Sequence, residues 1–192
     1  MTARIHTKTL AAMFVEIAVA ASLMLATEPA EAVVPGANGK IFFASNQDGN
    51  EEIYSMDQDG SGQKRLTFNT AFDFDPAISL DASKVAFSSD RSGDLDIWVM
   101  NSDSSGAPEL LTTNSGFDVE PSWSPDGTEI VFSSSVDGKQ DIYVMNANGS
   151  GTPAPLTSDP AGLSVNEQSP GFSPDGTKKA FQRVVGSEQE SG

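Results

Sequence analysis

The chain has 192 residues, no cysteine, and a formal net charge of −16 from 27 acidic and 11 basic residues. A surface of this charge repels nucleic acid and anionic lipid, so we expect no nucleic-acid partner. With no cysteine and one histidine, His6, the sequence also excludes a disulfide framework and His/Cys zinc sites.

Residues 1–32 have the pattern of an export signal. A basic start leads into the apolar run Leu10–Ala26, and small residues follow at Ala30 and Ala32 in an A-x-A cleavage pattern. Glu16 interrupts the run, which disfavours a permanent membrane anchor. We therefore predict cleavage after Ala32, no membrane span in the mature chain, and a periplasmic or secreted location.

The remainder of the chain, residues 33–192, repeats itself. The segments KIFFAS, KVAFSS, EIVFSS and KKAFQR recur with separations of 44, 45 and 49 residues between their phenylalanines, Phe43, Phe87, Phe132 and Phe181. Each of the first three is followed by EIYSMD, DIWVMN or DIYVMN and then by RLT, LLT or PLT. The second, third and fourth are preceded by PAIS, PSWS and PGFS, which begin at Pro76, Pro121 and Pro170.

Each repeated segment predicts a short β-strand, because it is rich in β-branched and aromatic residues. In order along one repeat we name the strands A (PSWS), B (EIVFSS), C (DIYVMN) and D (PLT). The SPDGT segments at residues 124–128 and 173–177 are turn sequences between strands A and B. No part of residues 33–192 shows sustained helical periodicity.

Four strands in about 45 residues are typical of a β-propeller blade. We predict an all-β fold, a partial β-propeller of four-stranded antiparallel blades, with about three blades plus part of a further one after the signal peptide. The repeats begin at strand B and end after a strand B. A β-sandwich is the alternative, but it does not require one peptide to recur at one period.

The run PSWSPDGTEIVFSS followed by DIYVMNANGSG resembles the TolB-type propeller repeat, which also occurs in propeller domains of prolyl-oligopeptidase-type hydrolases. The resemblance extends from about Gly39 to Arg183. It implies an exported protein that binds a protein partner in envelope complexes, and a complete propeller of six or seven blades. We expect this chain to depart from that pattern in having fewer repeats and in lacking the separate amino-terminal domain.

Three hypotheses explain the short array. The chain is a fragment of a larger propeller, it closes a ring with other copies, or it is an open arc whose edge strands self-associate. We favour the fragment.

Enzymatic activity is not expected. A Ser-His-Asp mechanism needs an imidazole to accept the serine proton, and residues 33–192 contain no histidine. No G-x-S-x-G segment occurs, and no carboxylate pair stands out from the repeat. We therefore predict no catalytic residue and no organic cofactor.

Three acidic residues recur at one repeat position. Asp73, Asp118 and Glu167 each lie three residues before the proline of strand A, which places them in the connection from strand D to the next strand A. Strand A is innermost in a propeller, so we expect these acids around the mouth of the central channel. They would bind a basic segment of a partner or a cation such as Ca²⁺. In the alternative, each acid caps its own turn by accepting backbone N–H groups.

The preferred function is an exported, non-enzymatic protein-binding scaffold. One alternative is the amino-terminal propeller portion of a prolyl-oligopeptidase-type hydrolase that lacks its catalytic domain. The other is a cation- or glycan-binding propeller.

Overall fold

The computed structural model describes residues 39–158 and 165–185, so the predicted signal peptide lies outside the described residues. Every regular element in the described ranges is a strand. The strands are β1 Ile41–Ser45, β2 Glu52–Met56, β3 Lys64–Arg65, β4 Asp73–Ile78, β5 Lys84–Ser89, β6 Asp96–Asn101, β7 Glu109–Leu110, β8 Asp118–Trp123, β9 Glu129–Ser134, β10 Asp141–Asn146, β11 Ala154–Pro155, β12 Val165–Phe172 and β13 Lys179–Val185. The described part contains no helix long and apolar enough to cross a membrane.

The strands form four consecutive antiparallel sheets. Blade 1 contains β1-β2-β3, blade 2 contains β4-β5-β6-β7, blade 3 contains β8-β9-β10-β11, and blade 4 contains β12-β13. In each blade every strand pairs with the next in sequence, as in a propeller blade. The predicted partial propeller is confirmed, and the first and last described strands, β1 and β13, are both B strands.

The bounds predicted for strand A were wrong. The three A strands begin at or before the acidic residue rather than at the proline, so Asp73, Asp118 and Glu167 lie within the strands and not in the preceding connections. Their register partners on strand B are Ser89, Ser134 and Arg183.

A β-bulge at the proline explains this error. Proline has no N–H to donate to a strand ladder, and each A strand shifts register around it. The residue before each proline adopts a left-handed backbone, with φ of 51° at Asp75, 57° at Glu120 and 54° at Ser169. The strand therefore continues through a position that sequence patterns assign to a turn.

Neighbouring blades bury each other's apolar faces. Ile53 and Leu66 of blade 1 form one buried cluster with Val85, Phe87 and Met100 of blade 2. A second buried cluster joins blades 2 and 3 and contains Ala86, Ile97, Val99, Ile130, Phe132, Tyr143 and Met145. In blade 4, by contrast, β13 is exposed along its whole length. Self-association through such an exposed strand stays a prediction.

Backbone hydrogen bonds also join each blade to the next. In the first gap, between blades 1 and 2, Asp73 N–H donates to the Glu51 carbonyl at 2.9 Å. Asp118 N–H donates to the Leu95 carbonyl at 2.8 Å in the second gap. The same bond recurs in the third gap, so the start of every described strand A is fixed to the preceding blade.

The SPDGT turn between β8 and β9 is organised by one carboxylate. Oδ1 of Asp126 accepts hydrogen bonds from the Ser124 hydroxyl at 2.6 Å, from Thr128 N–H at 3.1 Å and from the Thr128 hydroxyl at 2.8 Å. These bonds lower the pKa of Asp126 from 3.8 to about 2, with the Ser124 hydroxyl contributing most. Gly127 supplies the left-handed backbone that the turn requires, at φ 70°.

We expect Asp126→Ala to lower the melting temperature at pH 7 by a small amount. A carboxyl whose pKa falls on folding stabilises the protein above its unfolded pKa, near 4, and loses this contribution as the pH falls through about 2. Thermal melts by circular dichroism from pH 7 to pH 2 should show the two curves converging below pH 4. Asp126→Asn keeps the acceptor oxygen and removes the titration, so it is the matched control. An Asp126→Ala deficit of equal size at pH 2 and pH 7 would contradict this assignment.

Candidate functional site

The predicted acids gather at one end of the sheets, which we call the top face. It is the end at which strands A and C begin and strands B and D end, and it comprises the loops 46–51, 66–72, 90–95, 111–117 and 135–140. Because strands alternate in direction within a blade, the starts of A and C fall on the same end in every repeat.

Asp73 is fully buried at the top face and paired with a cation. Its carboxylate accepts from the Arg91 guanidinium at 2.6 Å, the Ser89 hydroxyl at 2.6 Å and the Asn69 amide at 2.7 Å. Glu167 is also fully buried, and its Oε1 accepts two bonds from the Arg183 guanidinium. In both cases the neutralising group comes from strand B or the residues just after it.

Asp118 occupies the equivalent place without a cationic partner. It is 0 % exposed, and its Oδ2 accepts from the Asn114 amide at 2.5 Å. Among the described residues, no hydrogen-bond partner satisfies its Oδ1. Burial raises the pKa of Asp118, and the nearby Asp96 carboxylate adds to the increase.

Asp73 and Asp118 accept hydrogen bonds from side chains, whereas backbone N–H groups of the preceding loops donate to asparagine side chains. Asn69 caps one loop by accepting from Ala71 N–H at 2.6 Å, and Asn114 caps the next by accepting from Gly116 N–H at 2.7 Å. The turn-capping role that the sequence suggested for the acids is thus carried by the asparagines beside them. Whether the acids bind a partner or a cation stays a prediction.

A second set of buried acids begins each strand C. Glu52 accepts from the Thr67 hydroxyl at 2.5 Å and from the Arg65 guanidinium at 2.6 Å. Asp96 accepts from the Thr112 hydroxyl at 3.1 Å and from the Ser92 hydroxyl at 2.5 Å. The threonines in turn accept the N–H of the isoleucine in strand C, at 2.9 Å. These acids therefore tie strand C to the end of strand D within a blade.

The two sets of acids meet in the gaps between blades, and the gaps differ in charge. Between blades 1 and 2, Arg65 neutralises Glu52 and Arg91 neutralises Asp73. Between blades 2 and 3, leucine and valine occupy the positions that align with those arginines, Leu110 and Val136. No described basic residue forms an ion pair with Asp96 or Asp118, and burial raises the pKa of both carboxyls. The sequence analysis did not identify this difference in charge, although the aligned segments RLT and LLT already differ by an arginine.

Three phenylalanines are exposed at the top face. Phe68 is 72 % exposed, Phe72 is 52 % exposed and Phe117 is 59 % exposed. Phe72 and Phe117 hold the same repeat position, directly before Asp73 and Asp118. The sequence analysis did not single these phenylalanines out. Their place outside the alternating strand segments was the available signal.

The inner strands add further carboxylates. Glu120 reaches across to blade 4, where its Oε2 accepts from Ser169 N–H at 2.5 Å. It also accepts from the Ser133 hydroxyl of its own blade at 3.2 Å. Asp75 holds the equivalent position in blade 2, and burial together with the charge of Glu120 raises its pKa. The left-handed bulge residues thus supply both a blade-to-blade link and negative charge along the inner strands.

This arrangement offers negative charge and exposed aromatic surface. Within residues 39–158 and 165–185, no three His, Cys, Asp or Glu side chains form a cluster suited to a metal ion. The predicted acids Asp73, Asp118 and Glu167 lie in separate gaps, each with its own local partners. The geometry suits recognition of a basic or apolar surface.

Comparisons with known proteins agree with the fold. The Tol-Pal system protein TolB of Desulfosudis oleivorans is 37% identical over 60 residues, which are 31% of this chain and 14% of that protein. A TolB structure from Agrobacterium tumefaciens superposes with a TM-score of 0.65 at 26% identity, over 77% of this chain and 55% of that one. A prolyl endopeptidase structure superposes with a TM-score of 0.55 at 18% identity, over 78% of this chain and 25% of that one, which shows a shared fold alone.

A match to a family profile over more than half of this chain identifies its family. The sequence profile of the TolB beta propeller domain matches residues 76–190, which include most of blade 2 and the described strands of blades 3 and 4. The chain spans little more than half of the Agrobacterium tumefaciens structure and a smaller share of the curated relative. With its repeated antiparallel blades, this chain belongs to the TolB beta propeller domain family.

Proposed function

We propose that this chain is an exported, non-enzymatic scaffold that binds a protein partner through its top face. The observation that carries the proposal is the pair Phe72 and Phe117, exposed at the same position of adjacent blades. Phenylalanine contributes little to stability when half or more of it faces solvent, whereas exposed aromatic groups are frequent anchors of protein interfaces. A periplasmic or secreted location accompanies this proposal.

The charge around these phenylalanines defines the partner's chemistry. Asp48, Glu51, Asp90, Asp94 and Asp137 lie in the loops of the top face. Asp75 adds a further carboxylate on the inner strand of blade 2. A segment with apolar side chains flanked by lysine or arginine would bury the phenylalanine rings and neutralise these acids. Of the acids predicted for binding, Asp73 and Glu167 are buried and form ion pairs with Arg91 and Arg183. We therefore assign them a structural role beneath the top face.

The absence of enzymatic activity is part of the same proposal. The only histidine of the chain is His6, and there is no cysteine. A serine mechanism with a histidine base and a cysteine thiolate mechanism therefore lack their histidine and cysteine in residues 39–192. Two of the curated relatives carry names of the Tol-Pal system, which favours a binding role over a hydrolytic one.

The test compares two exposed apolar residues at opposite ends of the sheets. Phe117 lies at the top face, and Leu80, which is 74 % exposed, lies in the turn between β4 and β5 at the other end. The probe is purified Pal protein from the same genome, titrated by isothermal calorimetry. We expect Phe117→Ala to weaken binding by about 10-fold or more, because truncation of an anchoring aromatic residue costs on the order of 2 kcal/mol.

Leu80→Ala is the matched control and should leave the affinity unchanged. Thermal melting of both variants should match the wild type, because neither side chain is buried. Equal weakening by both substitutions, or weakening by Leu80→Ala alone, would move the interface away from the top face. Wild-type protein that does not bind Pal would show that the partner belongs to another system.

A further inference from the structure

We propose that the cleft between blades 2 and 3, at the end of the sheets opposite the top face, binds a short peptide with free termini. The cleft has a volume of about 660 Å³, which lies within the usual range of small-ligand sites. Its lining includes Lys84, Val99, Glu109, Trp123, Thr128 and Asn146. This inference is independent of partner binding at the top face, because strands B and D begin at the cleft and end at the top face.

The first observation is that a side chain bridges the equivalent gap between blades 1 and 2. There Lys64 Nζ donates to the Asp103 carbonyl at 2.9 Å and to the Ser104 hydroxyl at 3.1 Å. A cavity at that end of the gap measures only about 230 Å³. In blade 2, Glu109 holds the strand D position of Lys64, and a carboxylate cannot donate to a backbone carbonyl. This exchange explains why the cleft between blades 2 and 3 is open.

The second observation is a charged group at each end of the cleft. Lys84 begins strand B of blade 2, and its Nζ donates to the neutral amide oxygen of Asn101 at 2.8 Å. Glu109 begins strand D of the same blade and is exposed. Within residues 39–158 and 165–185, neither charge belongs to an ion pair. The cleft therefore offers a cation and an anion to a ligand.

The strand register places both charges on the wall that faces blade 3. Lys84 and Ala86 point to the same side of β5, and Ala86 lies in the buried cluster between blades 2 and 3. Ala86 pairs with Val99, which pairs with Glu109. Two strand spacings across the sheet and two residues along it separate Lys84 from Glu109, about 12 Å between Cα atoms. An extended tripeptide is about 10 Å long, so its two termini can contact both groups at once.

Trp123 supplies an apolar wall at the end of the cleft that holds Lys84. Its indole N–H donates to the Ala77 carbonyl of blade 2 at 3.0 Å, which fixes the ring across the gap. Because this is the only donor of the side chain, the ring offers apolar surface to a ligand. The geometry thus favours a peptide with an apolar C-terminal residue on Trp123, its carboxylate on Lys84 and its amine toward Glu109.

The other polar groups of the cleft favour a peptide over a saccharide. A saccharide is recognised through many hydroxyl groups, so it needs several free donors and acceptors. The Thr128 hydroxyl donates to Asp126 at 2.8 Å, and the Asn146 amide donates to the Ser150 carbonyl at 2.9 Å. These groups already stabilise turns of blade 3, which leaves charge as the main polar feature of the cleft.

The experiment titrates the full chain with the peptide Ala-Ala-Phe by isothermal calorimetry. The wild type should bind it with a Kd of roughly 10 μM to 1 mM, the range of ligands of this size. The C-terminally amidated and the N-acetylated peptide each lose one charge and should bind about 10-fold more weakly. Absence of saturable binding by Ala-Ala-Phe, or equally tight binding of a neutral trisaccharide, would overturn the proposal.

Two variants assign the binding to this cleft. Lys84→Gln removes the charge but keeps a donor for Asn101, so it should weaken binding about 10-fold. Glu109→Lys restores the bridging lysine of the preceding gap and should abolish binding. Lys178→Gln is the matched control and should bind as the wild type does, because Lys178 is exposed and holds the repeat position of Lys84 in blade 4.

Thermal melts by circular dichroism separate loss of the site from loss of the fold. Lys84→Gln and Glu109→Lys should melt as the wild type does, since both side chains lie at the surface of the cleft. A wild-type Kd in both variants would refute the site. Equal weakening by Lys84→Gln and Lys178→Gln would also refute it, because the peptide would then respond to net charge alone.

Discussion

Asp73→Asn is expected to destabilise the folded chain by about 3 kcal/mol, the cost of breaking a buried ion pair. All three partners of the Asp73 carboxylate donate to it, from Asn69, Ser89 and Arg91. An amide at this place would turn its NH₂ group toward at least one of these donors. Arg91 would also keep its charge beside a neutral group, although it is only 18 % exposed.

Asp118→Asn, at the same repeat position, is expected to stabilise the chain by about 1 kcal/mol. The amide oxygen can accept from Asn114, and the NH₂ group takes the place of the unpartnered Oδ1. A buried carboxylate without a cation is replaced by a neutral group of the same shape, which removes an electrostatic penalty. These two substitutions at equivalent repeat positions should therefore change the free energy of unfolding in opposite directions.

Urea unfolding followed by tryptophan fluorescence, at pH 7, measures both free energies of unfolding. Val136→Arg provides the complementary check, because a guanidinium in the second gap should make Asp118→Asn destabilising in that background. If Asp73→Asn and Asp118→Asn destabilise the wild-type chain equally, the contrast between the two gaps is refuted.

Phe132→Ala is expected to destabilise the chain by about 3–5 kcal/mol, the usual cost of deleting a fully buried phenylalanine. Phe132 is 0 % exposed, because it lies in the cluster between blades 2 and 3. Its ring also contacts Tyr143, with centroids 6.0 Å apart. Urea unfolding at equilibrium gives the free energy directly.

The repeat supplies matched controls for this substitution. Phe43 in blade 1 is half-buried, and Phe181 in blade 4 is 38 % exposed, although both hold the repeat position of Phe132. The loss of stability should therefore decrease from Phe132→Ala to Phe43→Ala and be smallest for Phe181→Ala, at about 1 kcal/mol or less by the exposed area. Three equal losses would show that burial between blades does not set the energy.

The strands and their order were predictable because β-strands have a short sequence signature. KVAFSS and EIVFSS each hold apolar β-formers between turn residues, and their period of 45 residues identified blades without reference to contacts. The start of strand A was not predictable in this way. Proline at Pro76 and Pro121 signals a break in a strand, whereas the folded chain accommodates each proline in a bulge and continues the ladder.

By itself the sequence determined the repeat, the strand segments and the recurrence of acids at Asp73, Asp118 and Glu167. Only the tertiary structure decided what each repeated residue does, because a blade completes its core and its charge balance with the blade beside it. Asp73 and Asp118 hold the same repeat position, yet Asp73 forms an ion pair with Arg91, whereas Asp118 has no cationic partner among the described residues. Burial removes water as the alternative partner, so the neighbouring blade fixes the energy of each carboxylate.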